Sequence, residues 1–191
     1  MTRAEIINSL ISKYNYKSYL EIGVGQLNNF LSIKVDLKHG IDPNVGTTFR
    51  MTSDEFFERN LPQKYDLIFV DGLHIFEQAH KDIINSLDIL NDNGTIVVHD
   101  CNPLSEIVQR KERETDMWNG DVWKSILKLR VENPNISIST VDADHGCAVI
   151  QKGYQNLLTF DSVQYDYDFL DAHRKEILNL ISVEEFKEKY L

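Results

Sequence analysis

The chain has 191 residues, 42% of them hydrophobic and 26% charged, and 30 acidic against 20 basic side chains give a formal net charge of −10. That length suits one domain with a single sizeable core, and the acidic balance argues against a large nucleic-acid surface. No apolar run approaches the roughly 18 residues of a membrane helix, the N-terminus lacks a signal-peptide pattern, and two cysteines imply reduced thiols in a cytoplasmic setting.

In chain order, Thr2 and Glu5 have capping-box spacing, and Ile6, Ile7, Leu10 and Ile11 form one apolar helical stripe. This first helix is expected to cover a sheet. The run Ser18-Tyr-Leu-Glu-Ile-Gly-Val-Gly25 then reads as a short buried strand entering a tight turn. Gly23 and Gly25 let the backbone turn sharply and let a ligand come close. The third glycine of the dinucleotide fingerprint is missing, because Asn28 stands in its place. Glu21 at the strand end disfavours a pyrophosphate and suits a cation. S-adenosylmethionine, with a sulfonium and an ammonium and no phosphate, meets both conditions.

A brief helix is expected over residues 28–34, followed by a second strand ending at Asp42. An acid roughly 20 residues past the glycines can accept both ribose hydroxyls; alone, Asp42-Pro43 would read as a turn. A third strand is expected within residues 47–51. The strand 65–71 ends at Asp71, with His74 three residues on, and a helix is expected over 77–90, stopped by Asn93-Gly94. The strand 95–98 leads into His99-Asp100. Strands alternating with helices imply a parallel sheet under right-handed crossovers, with ligands at the strands' carboxyl ends.

Residues 103–119 are polar and read as a loop, and 121–130 as a helix stopped by Asn133-Pro134. The strands 136–141 and 147–150 are joined by a connection short enough to demand an antiparallel hairpin. The tail, 153–191, is aromatic, with helices expected over 169–181 and 183–190. A packed cover, a dimer contact and a substrate wall all suit it.

Glu21-Ile-Gly-Val-Gly25, Gly40-Ile-Asp-Pro43, Met51-Thr-Ser-Asp-Glu-Phe56, Tyr65-Asp-Leu-Ile-Phe-Val-Asp-Gly-Leu-His74 and Gly94-Thr-Ile-Val-Val-His-Asp100 stand in that order. Together, over about residues 17–152, they resemble a class I S-adenosylmethionine-dependent methyltransferase of the small bacterial type that tailors sugars and natural products. The resemblance implies an α/β fold: a doubly wound, mostly parallel seven-stranded Rossmann-like sheet with an antiparallel last strand. It implies a cofactor-binding domain over 1–152 with 153–191 as a helical extension packed on it. It places the adenine by Ser53 or Asp54, while Thr52 with Glu55 has the spacing of a helix cap, and both roles can hold at once.

Neighbouring parallel strands lie under about 5 Å apart, so Asp71 and Asp100 should be close, which is costly unless a cation or a proton sits between them. In metal-dependent relatives that cation is magnesium or a similar divalent ion, held by aspartates in these places. Cys101 departs from the usual asparagine there. Without metal, His74 suits the task of general base. His99, one residue before Asp100, is expected by alternation to point away from it. Cys101 and Cys147 are expected to approach each other. Arg110, Lys111 and Arg113 suit either a phosphate of a nucleotide-linked substrate or a solvated charged face.

The expected cofactor contacts are Glu21, Gly23, Gly25, Asp42, Ser53 and Asp71, and the expected catalytic group is His74, Asp71 and Asp100, with Asp71 and Asp100 as metal ligands. The activity implied is O-methylation of a sugar or small polar metabolite, with N-methylation of an amino sugar or a turnover-free binding module as the alternatives. A small-molecule acceptor is the expected partner, without nucleic acid or membrane, and the tail offers a route to a homo-oligomer.

Overall fold

The computed structural model describes all of residues 1–191. Its sheet is built from β1 (Ser18–Ile22), β2 (Leu37–Ile41), β3 (Tyr65–Val70), β4 (Leu90–Val98), β5 (Ile136–Val141), β6 (Cys147–Lys152) and β7 (Leu180–Ile181). The strand order is β2-β1-β3-β4-β6-β5-β7. All pairings are parallel except those of β6, which runs against both β4 and β5. The helices are α1 (Arg3–Tyr14), α2 (Asn28–Ser32), α3 (Ser53–Glu58), α4 (Phe76–Asp88), α5 (Trp123–Glu132), α6 (Tyr167–Leu178) and α7 (Val183–Tyr190). None is long and apolar enough to cross a membrane.

The strands are apolar on both faces because helices cover both. Alternation along β1 and β3 splits the core into two layers. Leu20, Ile22, Ile68 and Val70 pack with Ile83, Trp123, Ile126, Leu170 and Ile177 under α4, α5 and α6. Tyr19, Leu67 and Phe69 pack on the other side with Ile6, Ile7, Leu10, Phe186 and Tyr190 under α1 and α7. Reciprocal capping boxes start α1 (Thr2 with Glu5), α3 (Thr52 with Glu55) and α7 (Ser182 with Glu185). Each satisfies amide groups that the first turn leaves without partners.

Three expectations need correction. Residues 47–51 form no strand; Phe49 makes only an isolated bridge to Ile41, because the chain passes at once into the Thr52 cap of α3. The seventh strand comes instead from the tail, where Leu180 and Ile181 add to the edge of β5. The helix expected to reach residue 90 ends at Asp88, and Asn93-Gly94 lies inside β4 rather than stopping a helix. Gly94 fits there because a Cβ would stand 2.8 Å from both the Asp66 carbonyl oxygen and the Leu90 side chain. Ile181 likewise leaves the predicted tail helix, since Asn179 takes a left-handed conformation (φ 44°) that ends α6.

The tail is a packed cover. Leu170, Ile177, Leu178 and Phe186 are fully buried, and Arg174 donates to Asn102 Oδ1 and to the Pro103 carbonyl, both at 2.7 Å. Those bonds hold the loop that follows β4. The extension therefore supports the edge of the sheet at which the strands β1 to β4 end.

Candidate active site

The carboxyl ends of β1 to β4 open into a cavity of about 1130 Å³. Its first wall is the turn after β1. Gly23 has φ +83°, and a Cβ there would lie 2.1 Å from the Asp71 carbonyl oxygen, so no other residue fits without moving the backbone. Gly25, at φ +53°, has no atom within 4 Å of the equivalent position and leaves open space above the turn.

Asp42 sits beside this turn, and its carboxylate is fully engaged with backbone. Oδ2 accepts from the Val24 and Gly25 amides at 3.1 and 3.0 Å, and Oδ1 from Asn44 and Val45 at 2.8 and 3.1 Å. A carboxylate has about four lone-pair positions, so a ribose hydroxyl would have to share one of these oxygens. Asp42 thus ties the β1 and β2 turns together, a role its sequence position did not reveal.

Glu21 is buried below the turn, taking hydrogen bonds from the Tyr19 hydroxyl and from Asn29 Nδ2. Burial raises its pKa to about 7, against the pull of those two hydrogen bonds. Asn29 Oδ1 is buried with no partner. Ser53 also lines the cavity, as the first residue of α3 after the Thr52 cap, and its Oγ accepts from Gln78 Nε2 at 3.1 Å. Both readings of that stretch therefore occupy adjacent residues: Thr52 caps and Ser53 faces the cavity.

The second wall is a dense ionic group. His74 Nε2 lies 3.2 Å from Asp71 Oδ1, and its Nδ1 lies 3.3 Å from Asp100 Oδ2. Donor atoms of Asp71, His74 and Asp100 all fall within 4.8 Å of one another. His99 contradicts its expected direction: its Nδ1 is 2.8 Å from Asp100 Oδ2 and 3.2 Å from Asp71 Oδ1. The cause is Asp100 itself, whose φ of +60° follows the end of β4 and cancels the alternation of the strand.

Arg3 completes the group from the first turn of α1. Its Nη1 reaches Asp71 Oδ2 at 2.9 Å, and its Nε and Nη2 grip Asp144 at 3.1 and 3.2 Å. Burial alone would raise the Asp71 carboxyl, but His74 and His99 outweigh it and hold Asp71 well below the usual carboxylate range. Burial works against His99 as well, yet Asp100, Asp144 and Asp71 raise it to about 11. His74 is raised in the same way, chiefly by Asp71 against desolvation. Arg3 and His99 thus bring positive charge beside the two aspartates.

The loop after β4 closes the far side. Trp118 stacks on His74 with ring centroids 5.1 Å apart, its ring inclined 21°, and lines the cavity. Asn119 and Asp121 are buried: Asn119 donates to Asp100 Oδ1 at 2.9 Å, and Asp121 Oδ1 accepts from the Phe76 amide at 2.6 Å. Asp121 therefore caps α4 rather than the helix it precedes. The hairpin between β5 and β6 meets the same edge, with Asp144 and His145 both in the left-handed region at φ 45° and 65°.

Arg110 pairs with Glu106 and Glu114, and Lys111 with Glu77, so these two form the solvated face. Arg113 lines the cavity, held by the Thr115 and Asp116 carbonyls. Cys101 and Cys147 are both buried thiols in different layers of the core, and burial pushes both pKa values up.

Sequence reasoning missed Arg3 and Asp144, which only the tertiary fold brings together. Asp82, buried on α4, was missed too, although it had a signal. Ala79, Asp82, Ile83 and Ser86 follow helical spacing, which puts a carboxylate on the inward stripe.

A family model described as a methyltransferase domain matches residues 20–101, from β1 to just beyond β4. No curated protein matches the chain by sequence. Among solved structures, the S-adenosylmethionine complex of the O-methyltransferase TomG from Streptomyces achromogenes, involved in tomaymycin synthesis, is 12% identical. It superposes with a TM-score of 0.59 over 79% of each chain. The S-adenosylhomocysteine-bound methyltransferase PaMTH1 of Podospora anserina is 19% identical, with a TM-score of 0.55 over 81% of this chain and 78% of that one. MycE of the mycinamycin pathway, with Mg, S-adenosylhomocysteine and mycinamycin VI, is 16% identical, with a TM-score of 0.50 over 80% of this chain and 49% of its own.

At such identities these likenesses establish the fold. Within that fold, residues 20–101 carry the match to a methyltransferase domain, and the glycine turn and strand-end aspartates lie inside it.

Proposed function

We propose that this chain is a class I S-adenosylmethionine-dependent methyltransferase that acts on oxygen, passing the S-methyl group of S-adenosylmethionine to a hydroxyl of a sugar or another small polar metabolite. The observation that carries the reading is the Asp71–His74–Asp100 group, which opens on the same cavity as the glycine turn. Methyl transfer is an in-line displacement, so acceptor, methyl and sulfur must be aligned and the acceptor must lose a proton. Cofactor site and proton-handling site share one cavity, as that reaction requires.

In this reading Glu21 and the unpartnered Asn29 Oδ1 receive the ammonium of the methionine half. Gly23 and Gly25 admit the backbone of the ligand, Asp42 fixes the turns and shares an oxygen with the ribose, and Ser53 borders the adenine. Asp71 lies between the two halves. Trp118 offers an indole platform for the apolar face of a sugar ring.

His74 in its neutral form takes the acceptor proton on the nitrogen freed from one of its two carboxylate contacts, while Asp71 and Asp100 stabilise the imidazolium that results. Asn119 and His99 hold Asp100 in place. Asp71, His74 and Asp100 also have the donor types and spacing to hold a hard divalent ion. Such an ion, when bound, lowers the pKa of a coordinated hydroxyl. Asn102 is excluded from that set, because it is occupied by Asp142 and Arg174.

Incubation with methyl-labelled S-adenosylmethionine and a panel of sugars and nucleotide-linked sugars tests the proposal. Label is expected on an acceptor hydroxyl. Parallel reactions with metal-stripped protein, with and without added magnesium or manganese, decide whether His74 acts alone. Label on an amine would transfer the reading to an amino sugar, and no transfer to any acceptor would leave a binding module.

A further inference from the structure

The turn between β5 and β6 carries a residue that its geometry does not favour. Gly146 N donates to the Ala143 carbonyl at 2.9 Å, closing a turn over Asp144 and His145, whose φ values are 45° and 65°. Two central residues of positive φ mark the I′ kind of hairpin turn, which favours Asn, Asp or Gly first and Gly second. Asp144 conforms. His145 stands where glycine is preferred, and its Cβ is strained there.

The surroundings hold that strain in place. Asp144 is gripped by the Arg3 amide, Nε and Nη2 at 2.6, 3.1 and 3.2 Å. The His145 carbonyl accepts from the Asn102 amide at 2.8 Å and from Asn119 Nδ2 at 3.4 Å, the nitrogen that also reaches Asp100. Fastened from both sides, the turn keeps the exposed His145 side chain in the cavity wall, its ring centroid 6.0 Å from that of His99. Three imidazoles line the cavity. Those of His74 and His99 lie against carboxylates, whereas that of His145 makes no hydrogen bond within the protein.

Strain held at a cavity wall, at a position that glycine would occupy more easily, points to a use for the side chain. We infer that His145 binds the methyl acceptor, its imidazole pairing with a second hydroxyl of the molecule whose first hydroxyl is methylated. This deepens the O-methyl reading above and rests on it. In its neutral form an imidazole has one donor and one acceptor nitrogen, which suits a hydroxyl, itself both donor and acceptor. Two points of attachment, His74 at the reacting hydroxyl and His145 at another, select a polyhydroxylated acceptor such as a sugar ring. They also fix which hydroxyl meets the S-methyl group.

The test uses methyl-labelled S-adenosylmethionine with free hexoses, their nucleotide-linked forms, and monodeoxy analogues of whichever sugar is labelled. Wild type, His145→Gly and His145→Ala are compared as full-length chains. His145→Gly should unfold about 2–4 °C higher, since it relieves the turn, and should bind S-adenosylhomocysteine as wild type does. His145→Ala keeps the strain and loses only the imidazole. Both variants should lose about 10- to 100-fold in kcat/KM for the sugar, mostly through KM. One monodeoxy analogue should lose a like factor with wild type and nothing further with either variant. Undiminished kcat/KM in either variant would overturn the assignment, as would losses from hydroxyl and imidazole that simply multiply. A His145→Gly protein no more stable than wild type would remove the strain on which the inference stands. If wild type labels no sugar at all, the O-methyl reading falls first and the assignment with it.

Discussion

The two walls of the cavity solve the same problem, a buried carboxylate, by opposite means. Beside the glycine turn, Asp42 is satisfied by four neutral backbone amides. At the ends of β3 and β4, Asp71 is satisfied by charge, from Arg3, His74 and His99. Backbone amides cannot change protonation, so the first arrangement is fixed once the chain folds. Imidazoles can, so the second arrangement can move a proton. The difference separates a half fixed by the fold from a half whose protonation can change.

The largest expected effect breaks the rigid half. In Gly23→Ala the new methyl group would collide with the Asp71 backbone while also straining a positive φ. We expect a loss of about 4 kcal/mol or more, on the scale of severe backbone strain and overpacking. Thermal or denaturant unfolding measures it, and near-normal stability would mean that the two turns are not locked together.

Asp42→Ala should cost about 2–3 kcal/mol of stability, because it strands four amides, and should weaken S-adenosylmethionine binding by a comparable factor. A stable variant that has lost affinity would make ribose contact, rather than turn-fixing, the main role of Asp42. His74→Ala addresses the other wall. It should reduce turnover about 100-fold while cofactor affinity changes little. If affinity falls as much as rate, the division between the walls is wrong.

The smallest effect is a pH dependence from Glu21. Its folded pKa, raised from 4.5 to about 7, means that its contribution to stability is fully present below the unfolded value. That contribution is lost as pH rises through about 7. A cationic ligand reverses the preference, favouring the ionised carboxylate. Cofactor affinity should therefore rise several-fold between pH 6 and 8 with proton release, and Glu21→Gln should flatten the profile. A flat profile in wild type would remove Glu21 from the ammonium site.

Much of this was legible in the sequence. The glycine turn, the strand-end aspartates and the antiparallel hairpin follow from local patterns: short apolar runs, Gly at positive φ and a connection too short for a crossover. The rest depended on non-local partners. Arg3 meets Asp144 across 141 positions of sequence, and nothing near either residue announces the pair. His99 was misdirected because the rule of alternation was extended one residue beyond the strand. A third strand was expected within residues 47–51, whereas two residues of the tail complete the sheet. An edge strand that short carries no pattern of its own.

The claim that the ionic wall handles the proton of a hydroxyl is tested most directly on the product. With carbon-13 methyl-labelled S-adenosylmethionine and an accepted sugar substrate, nuclear magnetic resonance identifies the atom that bears the new methyl group. The account predicts a methyl ether, formed by wild type and reduced about 100-fold in His74→Ala. A methylamine, or a methyl ether formed at an undiminished rate by His74→Ala, would contradict it.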